Sequence, residues 1–97
     1  MMTKYEIMFI VKTTMEDDQI KKVAEDLQKL INIKPSKVIE FKDMGRKKLA
    51  YPIKKEVSGH YYVMTVSAEH EIISEFDRKV SINENILRHL IIKIESE

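Results

Sequence analysis

Residues 36–53, SKVIEFKDMGRKKLAYPI, decide how the chain folds. Val38, Ile39 and Phe41 precede Gly45, while Leu49, Tyr51 and Ile53 follow it, so β-forming side chains flank a residue that tolerates a bulge or bend. Pro52 has no N–H to give to a ladder, which assigns this strand to the edge of its sheet. Glu40, Lys42, Asp43, Arg46, Lys47 and Lys48 crowd the same stretch. Charges along a long open edge deter stray pairing, and the same edge can serve as a docking rail for one chosen chain. The stretch reads as both.

Before it, residues 4–12 place Ile7, Phe9 and Val11 on one face and Met8 and Ile10 on the other, the pattern of a central strand. Thr14-Met15-Glu16-Asp17 reads as an N-cap with acids in the first turn. The helix that follows carries Ile20, Val23, Ala24, Leu27, Leu30 and Ile31 on one side and ends by Lys34-Pro35. After the edge strand, residues 54–58 read as a polar loop and residues 59–67 as a third strand rich in Tyr61, Tyr62, Val63, Thr65 and Val66. Ser67 is a plausible cap for a second helix with the stripe Ile72, Ile73, Phe76 and Val80. A turn at residues 81–85 leads to a last strand at 86–94, with Leu90, Ile92 and Ile94 as its expected inward set.

The order β-α-β-β-α-β is the ferredoxin-like split βαβ of the α+β class. Right-handed crossovers place both helices on one face of a four-stranded antiparallel sheet. The first and third strands are central, the second and fourth are edges, and Met8 and Ile10 lie on the open face. Residues 1–97 read as a single domain of this kind, without repeat or low-complexity segment.

Composition narrows the function. Hydrophobic residues at 43% and charged residues at 34% describe a soluble globular chain, and zero cysteines remove disulfides, thiolate nucleophiles and Cys-based metal sites. No signal peptide or membrane span is expected. The formal net charge is only +1, but residues 42–55 hold Lys42, Arg46, Lys47, Lys48, Lys54 and Lys55 against the single acid Asp43, so one side is basic. His60, His70 and His89 fall on different elements without metal-ligand spacing. No serine sits in a nucleophile elbow, neither glycine belongs to a phosphate cradle, and the carboxylates stand at helical pairing distances, such as Glu25 with Lys29 and Glu75 with Lys79. No catalytic residue, metal, cofactor or small-molecule substrate is expected. Ser58-Gly59-His60-Tyr61-Tyr62-Val63 is a poor match to the first RNA-recognition motif, and its tyrosines read as sheet packing. Arg88, a charge in an apolar strand, must reach water or a partner. Lys4 and Lys93 are expected near it once the first and fourth strands pair.

Gly45-Arg46-Lys47-Lys48-Leu49-Ala50-Tyr51-Pro52-Ile53-Lys54 resembles the signature of bacterial small-subunit ribosomal protein six. The likeness extends through Tyr5-Glu6, Gly59 and Asn85-Ile86-Leu87-Arg88-His89. The resemblance implies a cytoplasmic, ribosome-bound structural protein. Such proteins pair with small-subunit ribosomal protein eighteen, and the pair binds the central domain of the small-subunit ribosomal RNA. It further implies a partner interface over Lys42, Asp43, Arg46, Lys47 and Lys48, and an RNA contact at Arg88. Lys4, Lys54, Lys55 and Lys93 join the RNA-binding set from charge and placement. A reading from another class is a small-molecule-sensing module that self-associates through its open edge. Such modules favour glycine at the first strand-to-helix turn, where this chain has Thr13-Thr14.

Overall fold

The computed structural model describes residues 2–53 and 55–96. Its elements are β1 (Thr3–Lys12), α1 (Asp17–Ile31), β2 (Lys37–Ile53), β3 (Glu56–Ala68), α2 (His70–Ser81) and β4 (Ile86–Ser96). The four strands form one antiparallel sheet in the order β2-β3-β1-β4, which leaves β2 and β4 as the margins. This is the ferredoxin-like arrangement read from the sequence.

One sheet face is sealed by the helices. Tyr5, Ile7, Phe9 and Val11 of β1 and Tyr62, Met64, Val66 and Ala68 of β3 meet Ile20, Ala24, Leu27 and Ile31 of α1 and Ile73, Phe76 and Val80 of α2. Each set follows from its period: two along the strands, 3.6 around the helices. Phe9, Phe41 and Tyr62 join at ring-centroid separations of 5.3–6.5 Å, within the range where aromatic pairs add to burial.

Helix boundaries differ from expectation. The N-cap of α1 is Glu16 rather than Thr14: the Glu16 carbonyl accepts from the N–H groups of Gln19 and Ile20 at 3.0 and 3.1 Å. Ile20 is the first core anchor of the helix, and residues 13–15 are needed to climb from the sheet to the helix layer. Thr13 Oγ1 ties that climb to Ser58 Oγ at 2.8 Å. Ser67 is no cap. It is buried within β3, and Glu69 caps α2 while its own N–H donates to Ser36 Oγ at 3.2 Å.

The polar loop after β2 is also shorter than expected. Ile53 pairs with Glu56, where β3 begins, and Lys55 just before it takes a φ of 69°. Positive φ is common where a hairpin reverses tightly, and backbone pairing overrides the polar composition from Glu56 onward. Gly45 supplies the other positive φ, 83°, where β2 bulges between Asp43 and Gly45.

On β4 the inward set is reversed. His89 and Ile91 lie opposite Phe9 and Ile7 and share their helix-side face, whereas Leu90, Ile92 and Ile94 are each about half exposed. The cause is register. Irregularities in the β1–β4 pairing between Ile10 and Val11 and between Lys4 and Tyr5 fix the parity, and a strand apolar on both faces gives no pattern to fix it otherwise.

A second, smaller cluster of Ile10, Leu49 and Leu87 forms on the open face. There a Cβ added at Gly59 would lie 2.2 Å from Ile10 Cγ2. That methyl sits on a β-branched side chain that is stiff at χ1 and only 3% exposed, so it cannot swing away. Gly59→Ala is expected to cost about 1–3 kcal/mol, the usual range for overpacking, measured by urea denaturation. In an Ile10→Ala background the added cost should largely vanish.

Candidate partner and nucleic-acid surfaces

Among the described residues, the outer margin of β2 has no neighbouring strand along its length from Lys37 to Ile53. Alternation divides its charges between two faces. Lys47 pairs with Gly59 and Lys42 with Val63, which points both to the open face. Lys47 Nζ stands 5.6 Å from the centroid of the Tyr61 ring, within cation–π range. Lys42 Nζ bonds Glu40 at 3.2 Å.

Asp43 and Arg46 lie on the helix side and are engaged within the chain. Arg46 reaches across to Asp17 of α1 at 3.4 Å. Asp43 Oδ1 lies 2.6 Å from His60 Nε2 and accepts from the Gly45 N–H at 2.8 Å. Lys48, opposite Ser58 by register, is exposed. Partial burial opposes ionisation of Asp43, but the bonds from His60 and Gly45 and the positive charges of His60 and Lys21 outweigh it, holding the carboxyl below its ordinary range. Beneath this group the Tyr62 hydroxyl is buried without a partner among the described residues, and burial, with the Asp43 and Asp17 carboxylates, pushes that phenol up.

The remaining basic residues are spread out. Arg88 lies opposite Ile10 and Lys93 opposite Tyr5, five residues apart on β4 and on opposite faces. At about 3.4 Å per residue the separation is roughly 17 Å, so the expected cluster of Arg88, Lys4 and Lys93 does not form. Lys4 lies beyond Tyr5 at the same end as Lys93, on the open face opposite Ser67. Lys55 is exposed at the β2–β3 turn, and Lys54 lies outside the described residues.

Arg88 has a different neighbour. Its Nη1 donates to the Tyr51 hydroxyl at 2.7 Å. Both line a groove of about 300 Å³ on the open face, together with Ile10, Leu49, Tyr61 and Leu90. No acid lines it. Tyr51 is 58% exposed and Leu90 49%. Sequence reasoning placed Met8 and Ile10 on this face but missed the groove. The available signal was β4 itself: a margin strand apolar on both faces must leave one of them uncovered.

His60 and His89 each bond an aspartate at 2.6 Å, His70 lies 3.4 Å from Ser74 Oγ, and no group of three potential metal ligands occurs among the described residues. Glu75 is held by Arg78 and by Lys79, and the Arg78 hydrogen bond keeps its carboxyl low. No described helix is long and apolar enough to cross a membrane.

Fold and surface together define a ferredoxin-like binding domain with one helix-covered face, one open face and a charged free margin. Residues 4–93 match the family model for ribosomal protein S6. The chain is 42% identical over 94 residues to the small ribosomal subunit protein bS6 of Phytoplasma mali, covering 97% of this chain and all of that one. To the protein of the same name from Phytoplasma australiense it is 39% identical over 92 residues, covering 95% and 99%. Its fold also superposes on the crystal structure of 30S ribosomal protein S6 from Thermotoga maritima with a TM-score of 0.89 at 24% identity, over 97% of this chain and 89% of that one. The chain belongs to the ribosomal protein S6 family. It is a structural component of the small ribosomal subunit and not an enzyme.

The Asp43–His60 pair carries a pH signature. A carboxyl held below its ordinary value stabilises the fold fully above the unfolded pKa and loses that contribution as pH falls through the lowered folded one. The stability gap between wild type and Asp43→Asn is therefore expected to be full at ~pH 5 and to close below pH 3.8. Urea midpoints across pH 2–6 would check it, and a gap unchanged into strong acid would refute it.

Proposed function

We propose that residues 1–97 act as one domain that is half of a heterodimer with small-subunit ribosomal protein eighteen, and that the pair binds the central domain of small-subunit ribosomal RNA in the cytoplasm. The observation that carries this reading is the free β2 margin continuous with the acid-free groove. An open edge offers main-chain donors and acceptors to an added strand. The groove adds what interfaces use most, namely Tyr, Arg, Met and Leu around a pocket. Lys42, Lys47 and Lys48 flank that margin, while Asp43 and Arg46 brace it from the helix side through His60 and Asp17.

Division of labour follows from charge. At a net charge of +1 the chain alone has little to offer a phosphate backbone. Arg88, in the lining of the groove, is the residue at which the partner surface would give way to RNA, with Lys4, Lys54, Lys55 and Lys93 as outlying phosphate contacts. These contacts hold the RNA backbone and do not read bases.

Titration of the isolated chain against protein eighteen tests the partner surface. Lys47→Glu combined with Lys48→Glu, and separately Tyr51→Ala, are each expected to weaken binding by about tenfold or more while leaving the urea midpoint close to that of wild type. Unchanged affinity would remove the margin and groove as the docking site. For RNA binding by the pair, Arg88→Ala is expected to flatten the salt dependence by about one unit of slope. An identical slope would take Arg88 off the contact list.

A further inference from the structure

The far end of the open face carries a second basic feature. Ser67 of β3 lies opposite Lys4 of β1 on one side and opposite Lys37 of β2 on the other. The three residues thus form one row across the sheet, with the lysine backbones roughly 10 Å apart at the usual interstrand spacing. A cleft of about 390 Å³ lies between them, with Val38 and Ile39 in its wall.

Neither lysine is ion-paired among the described residues. The next row inward carries Glu6 and Glu40 on either side of Thr65, and Glu40 is already bonded to Lys42 at 3.2 Å. Lys4 also lies opposite Glu95 in the β1–β4 register. Lys4 and Lys37 thus stand on one face, within a Debye length of each other and with Ser67 between them. Glu95 borders the row by register, and Glu6 and Glu40 border it without an ion pair to either lysine among the described residues. An anion held between them would meet an ammonium group from either side. Lysine ammonium groups on flexible stems converge readily on one phosphate oxygen group as point charges.

We propose that Lys4 and Lys37 share a single backbone phosphodiester of RNA above Ser67. The proposal rests on the RNA-binding reading above and adds Lys37 to it. The open side of the cleft lets a polynucleotide backbone run across the sheet end, and the row stands about 20 Å from Arg88, since Ile10 is six residues from Lys4 along β1. RNA is thereby gripped at two separated points.

The test uses the assembled pair with protein eighteen and a central-domain RNA fragment. The salt dependence of binding is measured for wild type, Lys4→Gln, Lys37→Gln and the double variant. One shared phosphate predicts that either single change lowers the slope by up to about one unit and that the double lowers it by no more than about one. A double variant that loses about two units means two independent contacts and overturns the shared site. An unchanged slope overturns the site altogether. Loss of affinity for protein eighteen without RNA, with the slope preserved, assigns the row to the protein interface and equally overturns the proposal. If the wild-type pair binds no RNA, the RNA-binding reading falls with it, whereas RNA binding at unaltered slope removes only the clamp.

Discussion

Everything in this fold hangs on β3 being hydrogen-bonded on both sides, to β1 and to β2, in registers that agree about which face is inside. A shift of one residue between β3 and β1 would turn Tyr62, Met64 and Val66 to solvent and bring Tyr61, Val63 and Thr65 under the helices, and a shift between β2 and β3 would do the same to Phe41. Gly59 pins the β1 side, because only a residue without a side chain fits beneath Ile10. The bulge at Gly45 adjusts the β2 side, so that Asp43 meets His60 on the inner face while Leu49 reaches the outer cluster.

That agreement makes the two faces unequal. The inner face is sealed by two helices and an aromatic group reaching to Phe41 on the margin. The outer face is divided along its length. Near the β2–β3 turn it is apolar, with Tyr51, Leu49 and Leu90 around a groove. Toward Lys4 and Lys37 it is charged. One small sheet thereby offers a protein-like surface at one end and a phosphate-friendly one at the other, without a second layer of structure to keep them apart.

Much of this was legible in the residues. The helical stripe from Ile20 to Ile31, the two-faced apolar run of β1 and the proline of β2 carry enough pattern to assign topology and margins. Where reading stopped, the reason was physical. Leu90 and Ile91 are equally apolar, so only the register against β1 decides which is inside. Lys55, Glu56 and Ser58 are polar, yet main-chain pairing carries β3 back as far as Glu56. Charges along β2 mark it as a surface, but sequence cannot say that Arg46 turns to Asp17 while Lys47 turns to Tyr61. Tyr51 looks like any strand tyrosine until the Arg88 hydrogen bond shows it standing over a groove.

The order of the strands in space also bears on how the chain acquires its shape. β1 is completed on one flank only by β4, the last of the four strands to be made. Until β4 arrives, β1 is itself a margin with apolar side chains on both faces, and α2 has no strand to lean on along that side. Completing the sheet therefore joins residues 3–11 to residues 86–96, a pairing of high sequence separation and the kind of contact that slows folding. During that interval the nascent chain is at its most adhesive, and completion of the sheet is what ends it.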